Sequence, residues 1–260
     1  MPEGDTIFRT AAALRRRLLG QAVVEARPRD LARLTGSTVT AVEPVGKHLL
    51  LSFSSGFVLH SHMRMNGSWH LYAPGERWRR PERLAKAVLT TADTVAVCFD
   101  APLVRLTREP DVGHLGPDLL ADDFDLALAV RRARSSAAPT LGELLLDQRV
   151  AAGIGNVFKC EALWWLRLDP WLPPERLDDE RLGELYATAR RFMRPNRTGF
   201  GRRFPYGDAA VHGRAGRPCR RCSTLIEARA QGQQARTTYY CARCQIGAEG
   251  TQVPPASPPS

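Results

Sequence analysis

Apolar residues recur at helical spacing at the start of the chain, then at a spacing of two, then at helical spacing again. Ile7, Ala11, Leu14 and Leu18 mark one face of a helix over residues 5–20, closed by Gly20. From residue 21 to about 107 the pattern is that of strands. Short β candidates are residues 22–26, 37–42, 88–90 and 94–99. Residues 48–53 and 57–62 flank Ser54-Ser55-Gly56 as a hairpin. Many short strands with turn punctuation predict a β-sandwich with the first helix packed on or beside it. A linker over 109–117, with two prolines and two glycines, ends this region. Helical spacing then returns over 124–134, 141–148, 156–166 and 180–193, with Pro139, Pro170, Pro173 and Pro174 in between. Residues 199–216 are rich in glycine and arginine without a period. A segment with four cysteines follows, and a Pro/Ser-rich tail from 247 to 260 predicts disorder. The fold class expected is multidomain α+β. Its parts are a sandwich over 1–112, an all-α domain over 118–198, a finger over 199–246 and the tail over 247–260.

Charge narrows the class of partner. A formal net charge of +10 points first to nucleic acid. The bases are lopsided: Lys47, Lys86 and Lys159 are the lysines and every other basic side chain is arginine. No apolar run approaches the ~20 residues that span a bilayer, and no membrane role is expected. Four of the six cysteines form two Cys-x-x-Cys pairs. That is metal spacing, which predicts a reducing, cytoplasmic setting, with Cys98 and Cys160 as buried thiols.

Several constellations carry candidate chemistry. The strongest is Cys219-Arg220-Arg221-Cys222 and Cys241-Ala242-Arg243-Cys244, flanking residues 223–240. Four thiolates at this spacing predict a closed, structural Zn²⁺ site on a β-hairpin. Arg229 and Arg236, interleaved with Gln231, Gln233, Thr237 and Thr238, suit phosphate contacts or a solvated hairpin. Gly153-Ile154-Gly155-Asn156 joins two helices and could hold a phosphate at the second helix start. Gly46-Lys47 precedes an apolar strand, so Lys47 is either an edge charge or a cation for a phosphate or a proton. His60 and His62 share a strand face; packed histidines explain them better than a metal pair, since no third ligand is evident. Arg64-Met65-Asn66 reads as a loop tip able to enter a base stack, or with Met65 as core. At the terminus, removal of Met1 would give Pro2 a secondary amine, nucleophilic in its neutral form. Glu3 beside it could move a proton, and Asp5 or Thr6 could cap the helix. The positive end of that helix would lower the amine pKa. Taken alone, the stretch reads better as a frayed terminus with an ordinary N-cap.

Pro2-Glu3-Gly4, Gly46-Lys47, Gly153-Ile154-Gly155-Asn156 and the four-cysteine finger occur in one order from Pro2 to about Gln245. That order resembles the formamidopyrimidine-DNA glycosylase/endonuclease VIII family, and within it the bacterial endonuclease VIII branch. The resemblance implies a sandwich with a leading helix, a helix–two-turn–helix domain and a zinc-finger hairpin. It implies a bifunctional DNA glycosylase and abasic-site lyase of base excision repair, acting on damaged double-stranded DNA near the nucleoid. Such an enzyme is expected to work as a monomer, with one structural Zn²⁺ and no small-molecule cofactor. Family roles fall on Pro2 as attacker of C1′, Glu3 as proton donor to the sugar ring oxygen, and Lys47 as aid to elimination. Asn156 and Arg236 fall on phosphate contacts, and Arg64, Met65 and Asn66 on the gap left by the flipped base. β- then δ-elimination would follow. Three departures stand out: Asp5-Thr6 in place of Pro-Glu, no basic, phenylalanine-bearing loop after Asp100, and a short 199–216 segment. They favour oxidised pyrimidines over 8-oxoguanine. A lyase without base excision, or a non-catalytic zinc-finger protein that binds damaged DNA, are the alternatives.

Overall fold

The computed structural model describes residues 2–199 and 201–245, so processing at Met1 and the tail over 247–260 lie outside the described residues. The chain divides into two compact units between His114 and Leu115.

In the first unit, α1 (Gly4–Leu18) buries Ile7, Ala11, Leu14 and Leu18 and packs on the sandwich. Arg15, Arg16 and Arg17 in its last turn complement the negative end of the helix dipole. Eight strands follow: β1 (Glu25–Arg27), β2 (Val39–Val45), β3 (His48–Phe53), β4 (Val58–His62), β5 (Ser68–Tyr72), β6 (Ala85–Thr90), β7 (Val95–Phe99) and β8 (Leu103–Thr107). They form two antiparallel sheets, ordered β1-β6-β7-β5 and β2-β3-β4-β8. Between the sheets lies a core that includes Leu49, Leu51, Phe53, Leu59, Ala87, Leu89, Ala96 and Cys98, closed by the apolar stripe of α1.

The first sheet is covered on its other face too. There Tyr72, Val88, Val95, Val97 and Phe99 form a second, smaller core with Trp78 and Leu84. Alternate residues of β7 therefore serve two cores, so the strand is buried throughout and reads as an unbroken apolar run. β5 and β8 were not expected from the sequence. Both are edge strands whose residues are mostly half-buried, which leaves no clean alternation. The expectation that Asp5 or Thr6 caps α1 is corrected. The helix already begins at Gly4, its N-cap position is Glu3, and Asp5 is buried within the first turn.

The second unit holds α2 (Leu126–Arg134), α3 (Leu141–Leu146), α4 (Asn156–Trp165) and α5 (Asp179–Met193). Three of these helices start where the sequence supplies a side-chain cap. Asp125 Oδ1 accepts from Leu128 N at 2.8 Å, and Asp178 Oδ1 accepts from Arg181 N at 2.7 Å. At α3, Thr140 Oγ1 accepts from Glu143 N at 3.3 Å and donates to Glu143 Oε2 at 2.8 Å. α4 differs: it is buried from Asn156 to Trp164, so it has no polar face to show. It packs against α3, α5 and the hairpin of β9 (Glu227–Gln231) and β10 (Arg236–Tyr240). A short α6 (Ala242–Gln245) carries the last cysteine.

Candidate active site and nucleic-acid interface

Glu3 is fully buried (0% exposed) at the head of α1, next to Pro2. Its carbonyl accepts the first helical N–H groups, from Thr6 at 2.9 Å and Ile7 at 3.1 Å, while its carboxyl does not cap the helix. Asp5, also buried, pairs with Arg9 one turn on, Nη1 to Oδ2 at 3.2 Å. Thr6 lies between them: its hydroxyl donates to Asp5 Oδ1 at 3.3 Å and accepts from Arg9 Nη2 at 3.4 Å.

Gly46 and Lys47 form the tight turn between β2 and β3, where Val45 pairs with His48. Gly46 adopts φ +58°, a conformation that favours glycine. Lys47 is thus held at a hairpin tip and is half-buried. Directly behind it the structure gathers three imidazoles. His48 Nδ1 and His60 Nε2 lie 2.7 Å apart, and the His48 ring meets the His62 ring edge-on at 4.7 Å. His60 and His62 do share a face; His48, for which the sequence carries no signal, completes the cluster from the neighbouring strand. Burial, then the neighbouring His62 and His60, push the His48 pKa down to about 3. Burial, then the charges of Lys47 and Arg64, push His62 down to about 4. The cluster is therefore neutral at physiological pH. Among the described residues, only the four cysteines bring three or more metal-ligating atoms together, so these histidines are packing partners.

His62 also anchors the segment that follows. Its Nδ1 accepts the backbone N–H of Arg64 at 3.1 Å, and Arg64 takes φ +44°. Gly67 closes the turn, because a Cβ there would meet Met63 O at 2.6 Å and Ala101 Cα at 3.0 Å. Arg80 Nη1 donates to Asn66 O at 3.3 Å. Met65 stands at the tip, 59% exposed, and is not a core residue.

In the second unit, α4 brings Asn156 and the Arg236 strand together. Asn156 Nδ2 donates to Thr237 O at 2.7 Å, and its buried Oδ1 has no hydrogen-bond partner. The Gly153-Ile154-Gly155 turn that delivers Asn156 needs φ +107° at Gly153. Arg236 begins β10, opposite Gln231, and its guanidinium donates to Gln234 Oε1 at 3.2 and 3.3 Å. A second support on α4 is the buried Glu161. Its carboxylate accepts from Tyr206 Oη at 2.6 Å and from the backbone N–H groups of Ala210, Val211 and His212 at 2.8, 3.0 and 2.8 Å. Neither Glu161 nor Lys159 was singled out from the sequence. Two charged residues in an otherwise apolar helical segment mark it as unusual, but their partners lie too far along the chain for their roles to be read locally.

The four cysteine sulfurs lie within 4.8 Å of one another. Cys222 is 3.5 Å from Cys241 and 3.4 Å from Cys244, and Cys219 is 4.0 Å from Cys244. A tetrahedral ion with bonds of ~2.3 Å requires sulfur separations of about 3.8 Å, so the set fits. Trp164 Nε1 and Arg221 N both point at Cys219 Sγ from 3.5 Å, as donors to a ligand thiolate do.

Comparison with known proteins decides the family. The model for the formamidopyrimidine-DNA glycosylase N-terminal domain matches residues 1–103, and that for the formamidopyrimidine-DNA glycosylase H2TH domain matches residues 115–196. The chain belongs to the formamidopyrimidine-DNA glycosylase family. Among relatives of this DNA glycosylase and abasic-site lyase family, the probable endonuclease 8 2 of Streptomyces coelicolor is 42% identical, covering 95% of each chain. The DNA-(apurinic or apyrimidinic site) lyase Nei2 of Mycolicibacterium smegmatis is 38% identical over 94% of this chain and 99% of its own. The glycosylase fold is shared with the Lactococcus lactis formamidopyrimidine-DNA glycosylase bound non-covalently to DNA containing an abasic site. That likeness has a TM-score of 0.80 at 22% identity, over 94% of this chain and 100% of the other. The H2TH helices of the family model correspond to the stretch that contains α2 to α5. No described helix of this family member is long and apolar enough to cross a membrane.

Proposed function

We propose that this family member excises oxidised bases, pyrimidines above all, and cleaves the abasic strand through an iminium formed by Pro2. The carrying observation is Glu3: a fully buried carboxyl beside Pro2, at the positive end of α1, whose side chain is not engaged as a helix cap. In the proposed reaction the Pro2 nitrogen attacks C1′ of an extruded nucleotide. Glu3 gives a proton to the ring oxygen as the glycosidic bond breaks. Lys47, at its hairpin tip, contacts a phosphate and assists elimination. Loss of a C2′ proton then expels the 3′ phosphate, and δ-elimination expels the 5′ phosphate. The exposed Met65 with Arg64 and Asn66 fills the space of the flipped nucleotide. Asn156 and Arg236 grip phosphates, and the four cysteines hold one structural Zn²⁺ that keeps the hairpin in place. The enzyme acts as a monomer on double-stranded DNA. The preference for pyrimidines is supported by the β7–β8 connection, which spans residues 100–102 and leaves no room for a long second wedge.

A second reading, an abasic-site lyase without base excision, is favoured by one observation. The position where the family often carries a second glutamate is Thr6, and the neighbouring Asp5 carboxylate is engaged by Arg9. A panel of duplexes, each with one lesion, tests both, with Pro2→Gly as control. Release of oxidised pyrimidines and Pro2-dependent cutting support the first reading. Cutting of abasic DNA alone supports the second. Near-normal cutting by Pro2→Gly would refute both.

A further inference from the structure

Lys159 is one of three lysines in the chain, and it is wholly buried (0% exposed) on α4. Its Nζ donates to Thr238 Oγ1 at 2.6 Å. The Thr238 hydroxyl donates to Gln231 Oε1 at 2.6 Å. Gln231 Nε2 in turn donates to Thr140 Oγ1 at 3.0 Å and Pro170 O at 2.8 Å. A directed chain of hydrogen bonds thus runs from α4, through both strands of the finger hairpin, to the N-cap of α3. Gly142 makes room for it, since a Cβ there would meet Gln231 Oε1 at 2.2 Å.

The chain bears on Arg236 through register. Arg236 lies opposite Gln231, and Thr238 is two residues further along β10, so all three side chains share one face of the hairpin. A slip of one residue would turn Arg236 to the opposite face. Two lighter contacts flank the lock: Asn156 Nδ2 on Thr237 O, and Tyr239 N on Cys160 Sγ at 3.4 Å. Asn156, Lys159 and Cys160 follow the i, i+3, i+4 spacing of one helix face. Lys159 reaches a side chain on the Arg236 face, that of Thr238, and its multiple N–H donors suit an interior where each polar group needs a partner.

We propose that Lys159 is a positioning residue for DNA binding: through Thr238 and Gln231 it fixes the register that presents Arg236 beside Asn156. The inference rests on the reading that Arg236 grips a phosphate. Full-length protein with its metal is titrated with a duplex that carries a tetrahydrofuran abasic analogue, over a range of KCl. Arg236→Ala should flatten the salt dependence of log K by about 0.9, one phosphate contact. Lys159→Met should do the same with unchanged metal content. Arg236→Ala with Lys159→Met should fall no further than either alone. If Lys159→Met does not fold, Lys159→Met with Thr238→Val removes both polar partners together and takes its place.

A normal slope in both Lys159 variants, with a flattened slope in Arg236→Ala, would overturn the proposal and leave the reading of Arg236 standing. Additive losses would make Lys159 an independent contact and would also overturn it. A normal slope in Arg236→Ala would remove the phosphate role of Arg236 and the proposal with it.

Discussion

Glu161→Gln keeps the size of a buried side chain but removes its charge and one of its two acceptor oxygens. Each carboxylate oxygen now serves two donors: Oε1 those of Val211 and His212, Oε2 those of Tyr206 and Ala210. An amide nitrogen placed at Oε1 would face two backbone N–H groups. Placed at Oε2 it would face one, since the Tyr206 hydroxyl can turn and accept. The second arrangement is the cheaper. It leaves the Ala210 N–H without an acceptor, at about 1–3 kcal/mol, and weakens two charge-assisted bonds by about 1 kcal/mol each. Relief from burying a charge offsets part of this. The net loss is about 2–4 kcal/mol. At about 3 °C per kcal/mol for a domain of this size, the unfolding transition of the second unit should fall by about 6–12 °C. Burial and the Glu161 charge hold the Tyr206 phenol protonated, so Tyr206→Phe loses one donor and should fall by about 3 °C. Scanning calorimetry of the metal-loaded protein reads both. A fall below about 2 °C in Glu161→Gln would refute the claim that this carboxylate organises residues 206–212.

Two further predictions concern pH and metal. Because folding lowers the pKa of His48 to about 3 and of His62 to about 4, their contribution to stability is complete above about pH 6.5 and is lost as pH falls toward 4 and 3. The slope is at most about 1.4 kcal/mol per pH unit per ring, and about half that after screening, since both rings are partly exposed. Urea midpoints between pH 6.5 and 5 should fall less steeply in His48→Gln; an unchanged slope would contradict the depressed pKa. Elemental analysis should find one zinc per chain, and chelation should abolish DNA binding while the first unit stays folded. Full binding without metal would contradict the proposed structural role.

Much of the fold was legible because its signals are local. The α1 stripe of Ile7, Ala11, Leu14 and Leu18, the Ser54-Ser55-Gly56 hairpin and the caps at Asp125, Thr140 and Asp178 each lie within a few residues. β5 and β8 escaped because what buries them comes from distant strands. The candidate site divides along the same line. The cysteine spacing and the Gly46-Lys47 start of an apolar strand could be read from neighbouring residues, whereas Met65 read both as a loop tip and as core until the fold exposed it. His48, Lys159 and Glu161 could not, because their partners lie 12, 79 and at least 45 residues away. Asp5 misled as a cap because helix preference alone does not show that its carboxylate meets Arg9 inside the first turn.

Reduction with borohydride in the presence of an abasic oligonucleotide tests the Pro2 chemistry most directly, because it fixes a transient iminium as a stable amine. The account predicts a covalent protein–DNA adduct that peptide mapping assigns to Pro2 and that Pro2→Gly forms poorly. A normal yield of adduct mapped to Lys47 or another amine would contradict it, as would no adduct from enzyme that cuts the same strand.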